Sequence, residues 1–524
     1  MEDGPSDIKC HKCHTVVLRA IKPEPKLWGS LPAELRLMIL ELVIGEKKTG
    51  WTSYAAVCKE WQFHIEKENF HRLKLRDSSL DELKTMVVRQ RAHVNHIQFI
   101  IQLPEYSCQG CSKEVPWASP GQSIIGDRIF KLLSILSTWK PATGGITLEL
   151  NAYSPSDSEH WFNHYYFDSD DEGSEVTTPT KDGSKANLDP AATFQDPKHG
   201  WVNGRRVKMP PRPAVEEVFQ SLDIGSRIEY PRVDVVTCFM MRRQLRRSLR
   251  PADIQRIFYS FPRLERMVYE PWKAWSQYWG GQQNSQFTRL LQYGLPNTLK
   301  RLSVFEDFNK DLTTVADPES PLGHGPIEDI IRRFRLDDCA NRVHQIFNLN
   351  LEELSISFMI NAEDFFLEPT PTQYRDPMPT GSWERLQSLA LTSQLLQPTA
   401  NYIDANALLC RSGVWALQMP KLRNFVLWNG ARGVAGAFIY RVHRNDASIA
   451  WRGTWSLKLT PQVIEAWRSV ASTLHSKELR VEKKKLIKED VIRSHGDAIH
   501  YLDLPCRVVE PASLWQIRKE NIYG

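Results

Sequence analysis

Two pairs of cysteines have the spacing of zinc ligands. Cys10 and Cys13 are separated by two residues, and so are Cys108 and Cys111. A two-residue gap lets both thiolates reach one tetrahedral zinc ion. Because Cys13 and Cys108 are 95 positions apart, the pairs do not form one zinc-finger module. Three interpretations remain open: a structural zinc that joins the N-terminal tail to a loop of the next domain, free or separately placed thiols, or redox activity.

A group of arginines could bind an anionic partner. The segment MRRQLRRSLR predicts a helix that carries five guanidinium groups along one side, namely Arg242, Arg243, Arg246, Arg247 and Arg250. Guanidinium groups bind phosphate oxygens in a bidentate manner. The segment is therefore either a solvated helix face or a receptor for a phosphorylated protein. Nucleic acid is the poorer interpretation, because no aromatic side chains are interleaved with these arginines.

Common catalytic motifs are absent from the sequence. It contains no G-x-x-x-x-G-K-[ST], no G-x-G-x-x-G between a strand and a helix, no H-E-x-x-H and no G-x-S-x-G. We therefore expect a protein that is not an enzyme and has no cofactor, apart from the zinc alternative.

Composition narrows the class of protein further. The balance of 67 basic and 62 acidic residues gives a net charge of +5, which over 524 residues is too weak to indicate a nucleic-acid partner. No stretch approaches the roughly 18 to 20 apolar residues that a membrane span needs. Nine scattered cysteines and the absence of an Asn-x-Ser/Thr sequon do not suggest a secreted protein. We expect a cytoplasmic or nuclear protein that has no contact with membranes.

The chain is too long for one hydrophobic core, and its pattern changes several times. We predict five segments: a flexible tail over 1–26, a helical domain over 27–76, the first part of an α/β domain over 77–152, a disordered acidic and Ser/Pro-rich insertion over 153–213, and the rest of the α/β domain over 214–524. Apolar runs such as HIQFIIQL and GITLEL predict strands, and DRIFKLLSILSTW predicts a helix between them.

A pattern of Leu-x-x-apolar-x-apolar recurs five times after about residue 230. Its first leucines are Leu264, Leu299, Leu351, Leu386 and Leu422. The apolar positions alternate as in a strand that faces one side, and helical patterns precede them. One strand and one helix per repeat resemble irregular leucine-rich repeats, which stack into a solenoid. A non-repetitive α/β domain is the alternative. The C-terminal part, including the predicted helix PQVIEAWRSVASTLHS, would cap the array.

The helical domain is where the sequence is most specific. One predicted helix carries an apolar stripe made of Leu35, Met38, Ile39, Leu42 and Val43. A second carries Tyr54, Val57, Cys58, Trp61 and Ile65, and Phe70 and Leu73 follow as a third apolar step. Three short helices would share one small core. Leu31 and Leu40 lie off the stripe, where a small bundle could not easily cover them, which indicates a protein partner.

These residues resemble the F-box family. The matching elements are Leu31-Pro32-Ala33-Glu34-Leu35, then Ile39-Leu40, then Val57-Cys58-Lys59-Glu60-Trp61, and finally Phe70-His71-Arg72-Leu73. In that family the helices dock onto the small adaptor subunit of the Skp–cullin–F-box (SCF) ligase. The resemblance implies that the adaptor-binding surface is formed or supported by Leu31, Pro32, Leu35, Ile39, Leu40, Val57, Cys58 and Trp61.

The resemblance also implies a function. An F-box followed by irregular leucine-rich repeats is a plan that resembles many fungal F-box proteins. The expected fold class is α+β, with a three-helix F-box followed by an α/β leucine-rich-repeat-like solenoid. The chain would be the substrate-recognition subunit of an SCF E3 ubiquitin ligase in ubiquitin-dependent protein degradation, with the adaptor, cullin and an unknown protein target as partners. The alternative is an interaction scaffold that acts outside ubiquitination.

Overall fold

The computed structural model of the chain divides into two compact units, residues 1–71 and residues 72–524. The boundary lies slightly before the predicted end of the helical domain. The structure describes residues 26–46, 50–107, 122–141, 144–159, 195–203, 205–208, 213, 218–219, 222, 224–225, 229–247, 249–273, 287, 290–308, 350–366 and 383–520. The predicted flexible tail therefore lies almost wholly outside the described residues.

The described part of the first unit consists of helices and a turn. In chain order these are α1 (Lys26–Ser30), α2 (Ala33–Glu46), a 3-10 helix (Trp51–Ala56) and α3 (Lys59–His71). Pro32 immediately precedes α2, where its missing N–H group is not needed. Glu34 lies in the first turn of α2, where a carboxylate interacts favourably with the helix dipole.

The predicted division into a second and a third helix is wrong. The 3-10 helix contains Tyr54, whereas Ile65 and Phe70 belong to the single helix α3. Leu73 is not helical but lies in the first strand of the second unit. The segment Arg72–Arg76 reads RLKLR, and this alternation of apolar and charged residues has the period of a strand.

The second unit is built on an open sheet that has thirteen strands among the described residues. The strands of the chain are β1 (Arg72–Arg76), β2 (His96–Gln102), β3 (Ile146–Tyr153), β4 (Trp201–Val202), β5 (Arg205–Arg206), β6 (Val236–Met241), β7 (Arg266–Tyr269), β8 (Arg301–Phe305), β9 (Glu353–Asn361), β10 (Ser388–Thr392), β11 (Asn424–Ala431), β12 (Val434–Val442), β13 (Ala447–Gly453), β14 (Leu479–Val481) and β15 (Lys485–Leu486). Strands β4 and β5 pair only with each other and form a separate ribbon.

The strands follow chain order across the sheet. From β1 to β3 and from β6 to β11, each strand lies beside the next one of the series, and all are parallel. Strands β12 and β13 then continue the sheet in antiparallel fashion, and β14 and β15 both pair in parallel with β13. Parallel neighbours need a crossover connection, which explains the recurrent alternation of helical and strand patterns in the sequence.

The five repeats predicted from the sequence are confirmed as strands, and they are in register. One row of hydrogen-bonded neighbours is Met267, Leu302, Leu354, Leu389 and Phe425. The second row, two residues on, is Tyr269, Val304, Ile356, Leu391 and Leu427. Both rows are buried and face the same side of the sheet, because the side-chain period of a strand is two.

The first row also extends backwards beyond the repeats that the sequence identified. Its earlier members are Leu73, Ile97, Leu148 and Phe239. The strands predicted from HIQFIIQL and GITLEL are confirmed as β2 and β3. The repeated arrangement therefore begins at β1 rather than near residue 230.

The remaining helices of the described residues belong to the second unit. They are α4 (Leu80–Met86), α5 (Gln122–Leu136), α6 (Pro251–Phe258), α7 (Ala362–Phe365), α8 (Tyr402–Ala416), α9 (Pro461–His475), α10 (His495–Leu502) and α11 (Pro511–Glu520). The predicted helix PQVIEAWRSVASTLHS is confirmed as α9. Trp467 of α9 donates its Nε1 hydrogen to the carbonyl oxygen of Leu409 at 3.0 Å, and its ring centre lies 4.7 Å from that of Phe425. Helices α8 and α9 therefore cover the side of the sheet that carries the two rows.

The C-terminal region packs against the opposite face of the sheet. Val426 and Trp428 alternate with the row residues of β11, so they face the opposite side of the sheet. They form a buried apolar cluster with side chains of the last two helices and their connections, among them Ile492, Ala498, Ile499, Leu502, Val508, Val509 and Ile517. The chain after β15 thus returns across the sheet and covers part of the face opposite α8 and α9.

The predicted insertion over 153–213 is ordered at both of its ends. Residues 160–194 lie outside the described residues, but Pro155–Glu159 forms a 3-10 helix and β4 and β5 form their ribbon. Asp157 is buried and accepts hydrogen bonds from Arg247, at 2.6 Å and 2.7 Å. Regular structure therefore extends beyond residue 153, the predicted start of the insertion, because Arg247, 90 residues away in the sequence, binds Asp157.

Candidate functional site

Helix α2 presents apolar side chains to solvent. Leu35, Met38, Ile39 and Leu42 are 46%, 57%, 37% and 69% exposed. Their spacing of i, i+3, i+4 and i+7 places them along one side of the helix. Large contiguous patches of exposed apolar side chains are typical of interaction surfaces. We call these four side chains the α2 face.

Further exposed apolar side chains lie elsewhere in the same unit. Val57 is 62% exposed and Phe63 is 52% exposed, and Leu37 and Tyr54 are also exposed. This unit contributes a large share of the exposed large apolar side chains among the described residues, although it is the shorter of the two. Exposed large apolar side chains are therefore concentrated in this unit.

Aromatic and polar contacts hold the three helices of the unit together. The ring centres of Trp28 and Trp61 lie 5.3 Å apart, which joins α1 to α3. Glu60 accepts hydrogen bonds from Trp28 Nε1 at 2.8 Å and from Arg36 Nε at 3.1 Å. Arg36 also donates to the carbonyl oxygen of Leu31 at 2.9 Å. The Trp28 hydrogen bond and the Arg36 guanidinium lower the pKa of Glu60, so this carboxylate stays ionised and keeps α1, α2 and α3 in place.

Core and surface positions on α2 differ from those predicted from the sequence. The stripe that was expected to form the core, which includes Leu35, Met38 and Leu42, is exposed. Leu40, which was expected to be difficult to cover, is fully buried, as is Ile65. Leu40 can therefore support the surface from within, which is one of the two roles that the resemblance implies, but its side chain is not exposed to a partner.

The other predicted adaptor-binding residues are accessible to different degrees. Pro32, Leu35, Ile39, Val57 and Cys58 are exposed, and Leu31 and Trp61 are partly buried. The resemblance did not point to Met38, Leu42 and Phe63 as contact residues. The first two were already visible in the sequence as members of the apolar stripe.

The predicted arginine helix is also wrong. Residues 242–247 form turns and irregular backbone after β6. Arg242, Arg243, Arg246 and Arg247 are buried, and only Arg250 is partly exposed. These arginines therefore do not form a solvated helix face or an exposed phosphate receptor.

Buried carboxylates accept hydrogen bonds from these guanidinium groups. Arg242 donates to Glu149 at 2.7 Å. Arg243 donates through Nε to Asp307, and through both terminal nitrogens to Glu520, at 2.6 Å and 2.9 Å. Asp307 in turn lies 2.9 Å from Nε2 of His495. The network ties the ends of parallel strands to the C-terminal helices of the second unit.

The network also determines the charge states of its carboxyl groups. Burial alone would oppose the ionisation of Glu149, but the His96 hydrogen bond and the Arg242 guanidinium lower its pKa to about 2. Glu270 accepts hydrogen bonds from the backbone nitrogen of Glu510 at 2.7 Å and from the hydroxyl of Ser513. Burial raises the pKa of Glu270 to about 7 in spite of these donors. Glu149 is therefore charged throughout the physiological range, and Glu270 titrates within it.

The predicted zinc ligands Cys10, Cys13, Cys108 and Cys111 lie outside the described residues. Within the part of the chain that the structure describes, no group of three or more His, Cys, Asp or Glu side chains is placed to hold a metal ion. The four cysteines Cys58, Cys238, Cys410 and Cys506 of this part are free thiols.

Comparisons with known proteins relate only to the second unit. The chain is similar to a family of unknown function (DUF6546) over residues 294–510, which is less than half of its length. No curated protein matches the chain. Among the described residues, no helix is long and apolar enough to cross a membrane. The matched region runs from just before β8 to Glu510, so it includes the repeats β8 to β11, the antiparallel strands and helix α10.

Proposed function

We propose that this protein is the substrate-recognition subunit of a Skp–cullin–F-box E3 ubiquitin ligase. The helical unit is the F-box that binds the adaptor, and the second unit is an irregular leucine-rich-repeat-like solenoid that binds a protein target. The protein itself is not an enzyme in this proposal. It brings the target close to ubiquitin-transferring subunits, and proximity is its contribution to the reaction.

The α2 face is the observation that carries the proposal. Its apolar side chains are exposed to water. Burial of apolar surface is the main source of affinity in most protein–protein association. The residues that resemble the F-box pattern supply part of this surface: Leu35 and Ile39 belong to the face, and Val57 is exposed in the same unit.

The sheet of the second unit supports the second half of the proposal. Nine parallel strands in chain order, with apolar rows in register, are the arrangement expected of stacked strand–helix repeats. Stacked repeats provide long surfaces that bind other proteins. A receptor of this kind works in the cytoplasm or the nucleus, where the ligase subunits and their targets are found.

Co-purification of the full-length chain with the adaptor tests the proposal. We expect the intact chain to recover the adaptor and the double variant Leu35→Lys, Leu42→Lys to lose it, because two ammonium groups would have to be buried at the interface. The matched control is Ile403→Lys, Val414→Lys, which changes two similarly exposed apolar side chains on helix α8. This control should recover as much adaptor as the intact chain.

Two outcomes would count against the proposal. Failure of the intact chain to recover any adaptor would remove the F-box function. Equal recovery by the intact chain and the α2 variant would show that the α2 face is not the docking surface. Adaptor binding without recruitment of cullin would instead favour the alternative, an interaction scaffold that acts outside ubiquitination.

A further inference from the structure

A polar recess lies between the beginnings of strands β7 to β11 and the chain that connects α10 to α11. Its volume is about 290 Å³. We call it the sheet recess, and the residues on which the argument depends are Arg266, Arg301, Glu353, Ser355, Arg507 and Glu510. It belongs entirely to the second unit, so its geometry does not depend on the helical domain.

The charges around the sheet recess do not balance. Glu510 interacts with two guanidinium groups, that of Arg266 at 2.5 Å and that of Arg507 at 3.3 Å. Glu353 lies 3.6 Å from Arg301. The lining thus contains three arginines and two glutamates, which leaves one positive charge without a carboxylate of its own. One negative charge on a ligand would compensate it.

The floor of the sheet recess contains a hydroxyl group without a partner. Ser355 is only 7% exposed, and its Oγ has no hydrogen-bond partner among the described residues. Its neighbours in register are Ser303 and Ala390, whose small side chains leave room above the sheet. A buried hydroxyl without a partner costs free energy, so a ligand that hydrogen-bonds to Ser355 gains affinity.

Cys506 lines another wall of the sheet recess, and the state of its thiol favours noncovalent binding of a ligand. Burial raises the pKa of Cys506 to about 12, so its thiol stays protonated and is a poor nucleophile at neutral pH. Arg441 is close enough to influence this thiol, and its Nε is buried with no hydrogen-bond partner among the described residues. Arg441 is not among the residues that line the recess, so the charge count of the lining does not include it.

The size and the mouth of the sheet recess indicate the kind of ligand. Its volume lies at the lower limit of small-molecule sites, which begin at about 300 Å³. The side chains of Arg301 and Glu353 at the strand beginnings are 53% and 58% exposed, so the site opens to solvent. This opening leaves room for a ligand group that is attached to a larger molecule outside the recess.

We infer that the sheet recess binds an aspartate or glutamate side chain from an acidic segment of the target protein. This inference rests on the proposed function and names the chemistry by which the receptor recognises its target. Arg507 and Arg301 bind the carboxylate, and Ser355 hydrogen-bonds to it or to the adjoining amide. A carboxylate carries the single negative charge that the lining lacks, whereas a phosphoryl group carries about −1.5 to −2 at neutral pH.

Saturation-transfer NMR on the purified full-length chain, without adaptor, tests the inference. The probes are the capped tripeptide acetyl-Gly-Glu-Gly-amide and its counterparts with glutamine and with phosphoserine. We expect saturable millimolar binding of the glutamate probe. Arg507→Gln or Arg301→Gln should each weaken it about tenfold, the value of one charge-assisted hydrogen bond. Ser355→Val, which fills the floor, should abolish it.

The matched control is Arg468→Gln, which removes an exposed arginine of helix α9 whose ion-pair partner among the described residues is Glu465 of the same helix. It should bind the glutamate probe like the intact chain. Thermal unfolding identifies any variant that fails to fold. If Ser355→Val does not fold, the two exposed arginine substitutions decide the result.

Three results would overturn the inference: no saturable signal from the glutamate probe, equal binding of the glutamate and glutamine probes, or tighter binding of the phosphoserine probe, which would assign the site to a phosphorylated segment. Because the adaptor is absent from this experiment, a failure of adaptor docking leaves its outcome unchanged.

Discussion

Substitution of Arg243 by methionine should destabilise the second unit strongly. The Arg243 side chain is 3% exposed, and it compensates two carboxylates that are themselves buried, Asp307 at 0% and Glu520 at 4%. Methionine fills most of the volume but removes the positive charge. Removing one partner of a buried ion pair costs about 3–5 kcal/mol, because the other partner is left without compensation.

The structure also predicts how this cost depends on pH. Asp307 keeps its hydrogen bond with His495, whereas Glu520 loses both of its bonds to Arg243. Burial raises the pKa of Glu520 even when Arg243 is present, so in the variant this carboxyl group binds a proton more readily still. The folded variant then takes up protons as the pH falls. The difference in the free energy of unfolding between the intact chain and the variant should therefore be larger in mildly alkaline than in mildly acidic buffer.

Two measurements check this prediction. Urea unfolding gives the difference in free energy, and hydrogen exchange of residues 511–520 shows whether α11 is released first. The control is Arg468→Met on the surface of α9, whose ion pair is 54% and 64% exposed and should contribute less than about 1 kcal/mol. A loss below about 1 kcal/mol for Arg243→Met, or a loss that grows as the pH falls, would refute the reasoning.

Two further predictions concern other buried groups. Leu40→Ala should destabilise the helical unit by about 2–5 kcal/mol, whereas Leu42→Ala should change its stability by less than about 0.5 kcal/mol. Hydrogen exchange over residues 26–71 of the full chain shows which of the two variants is less stable. A less stable Leu42→Ala would contradict the assignment of Leu40 to the core and Leu42 to the surface. Glu270 has a pKa raised from 4.5 to about 7 by burial, so the folded state binds more protons than the unfolded state between these values, and this group lowers stability as the pH rises through them. Glu270→Gln should flatten that part of the stability profile measured by urea unfolding, and an unchanged slope would show that Glu270 is ionised at lower pH.

Local patterns allowed much of the second unit to be predicted. The leucine pattern identified β7 to β11 because each strand carries its own apolar alternation within six residues. The same reasoning located β2, β3 and helix α9. It did not reveal that the last two helices return across the sheet, because their apolar partners, such as Val426 and Trp428, are distant in the chain.

The buried arginines show where local reasoning fails. Arg242, Arg243 and Arg247 look like a solvated helix face when their spacing is considered alone. Their carboxylate partners Glu149, Glu520 and Asp157 lie 93, 277 and 90 residues away, respectively, so no short sequence window contains both charges of a pair. The tertiary ion pairs override the helical spacing of the segment.

Helix α2 shows a different difficulty. Apolar residues occupy nearly every side of this helix, so periodicity cannot select the side that faces the core. The stripe that contains Leu35 and Leu42 looked like the core, but Leu40 is the buried residue. The sequence argument for a protein partner rested on Leu31 and Leu40, which are partly and fully buried, whereas the exposed apolar side chains are those of the α2 face.

Reconstitution with purified adaptor and cullin tests the central proposal most directly. Light scattering after size-exclusion chromatography gives the mass of the complex that the full-length chain forms. We predict one complex that contains all three proteins in equal numbers, and its loss when Leu35→Lys, Leu42→Lys replaces the intact chain. Separate elution of the intact chain from the adaptor–cullin pair would contradict the proposal that this protein is an SCF substrate receptor.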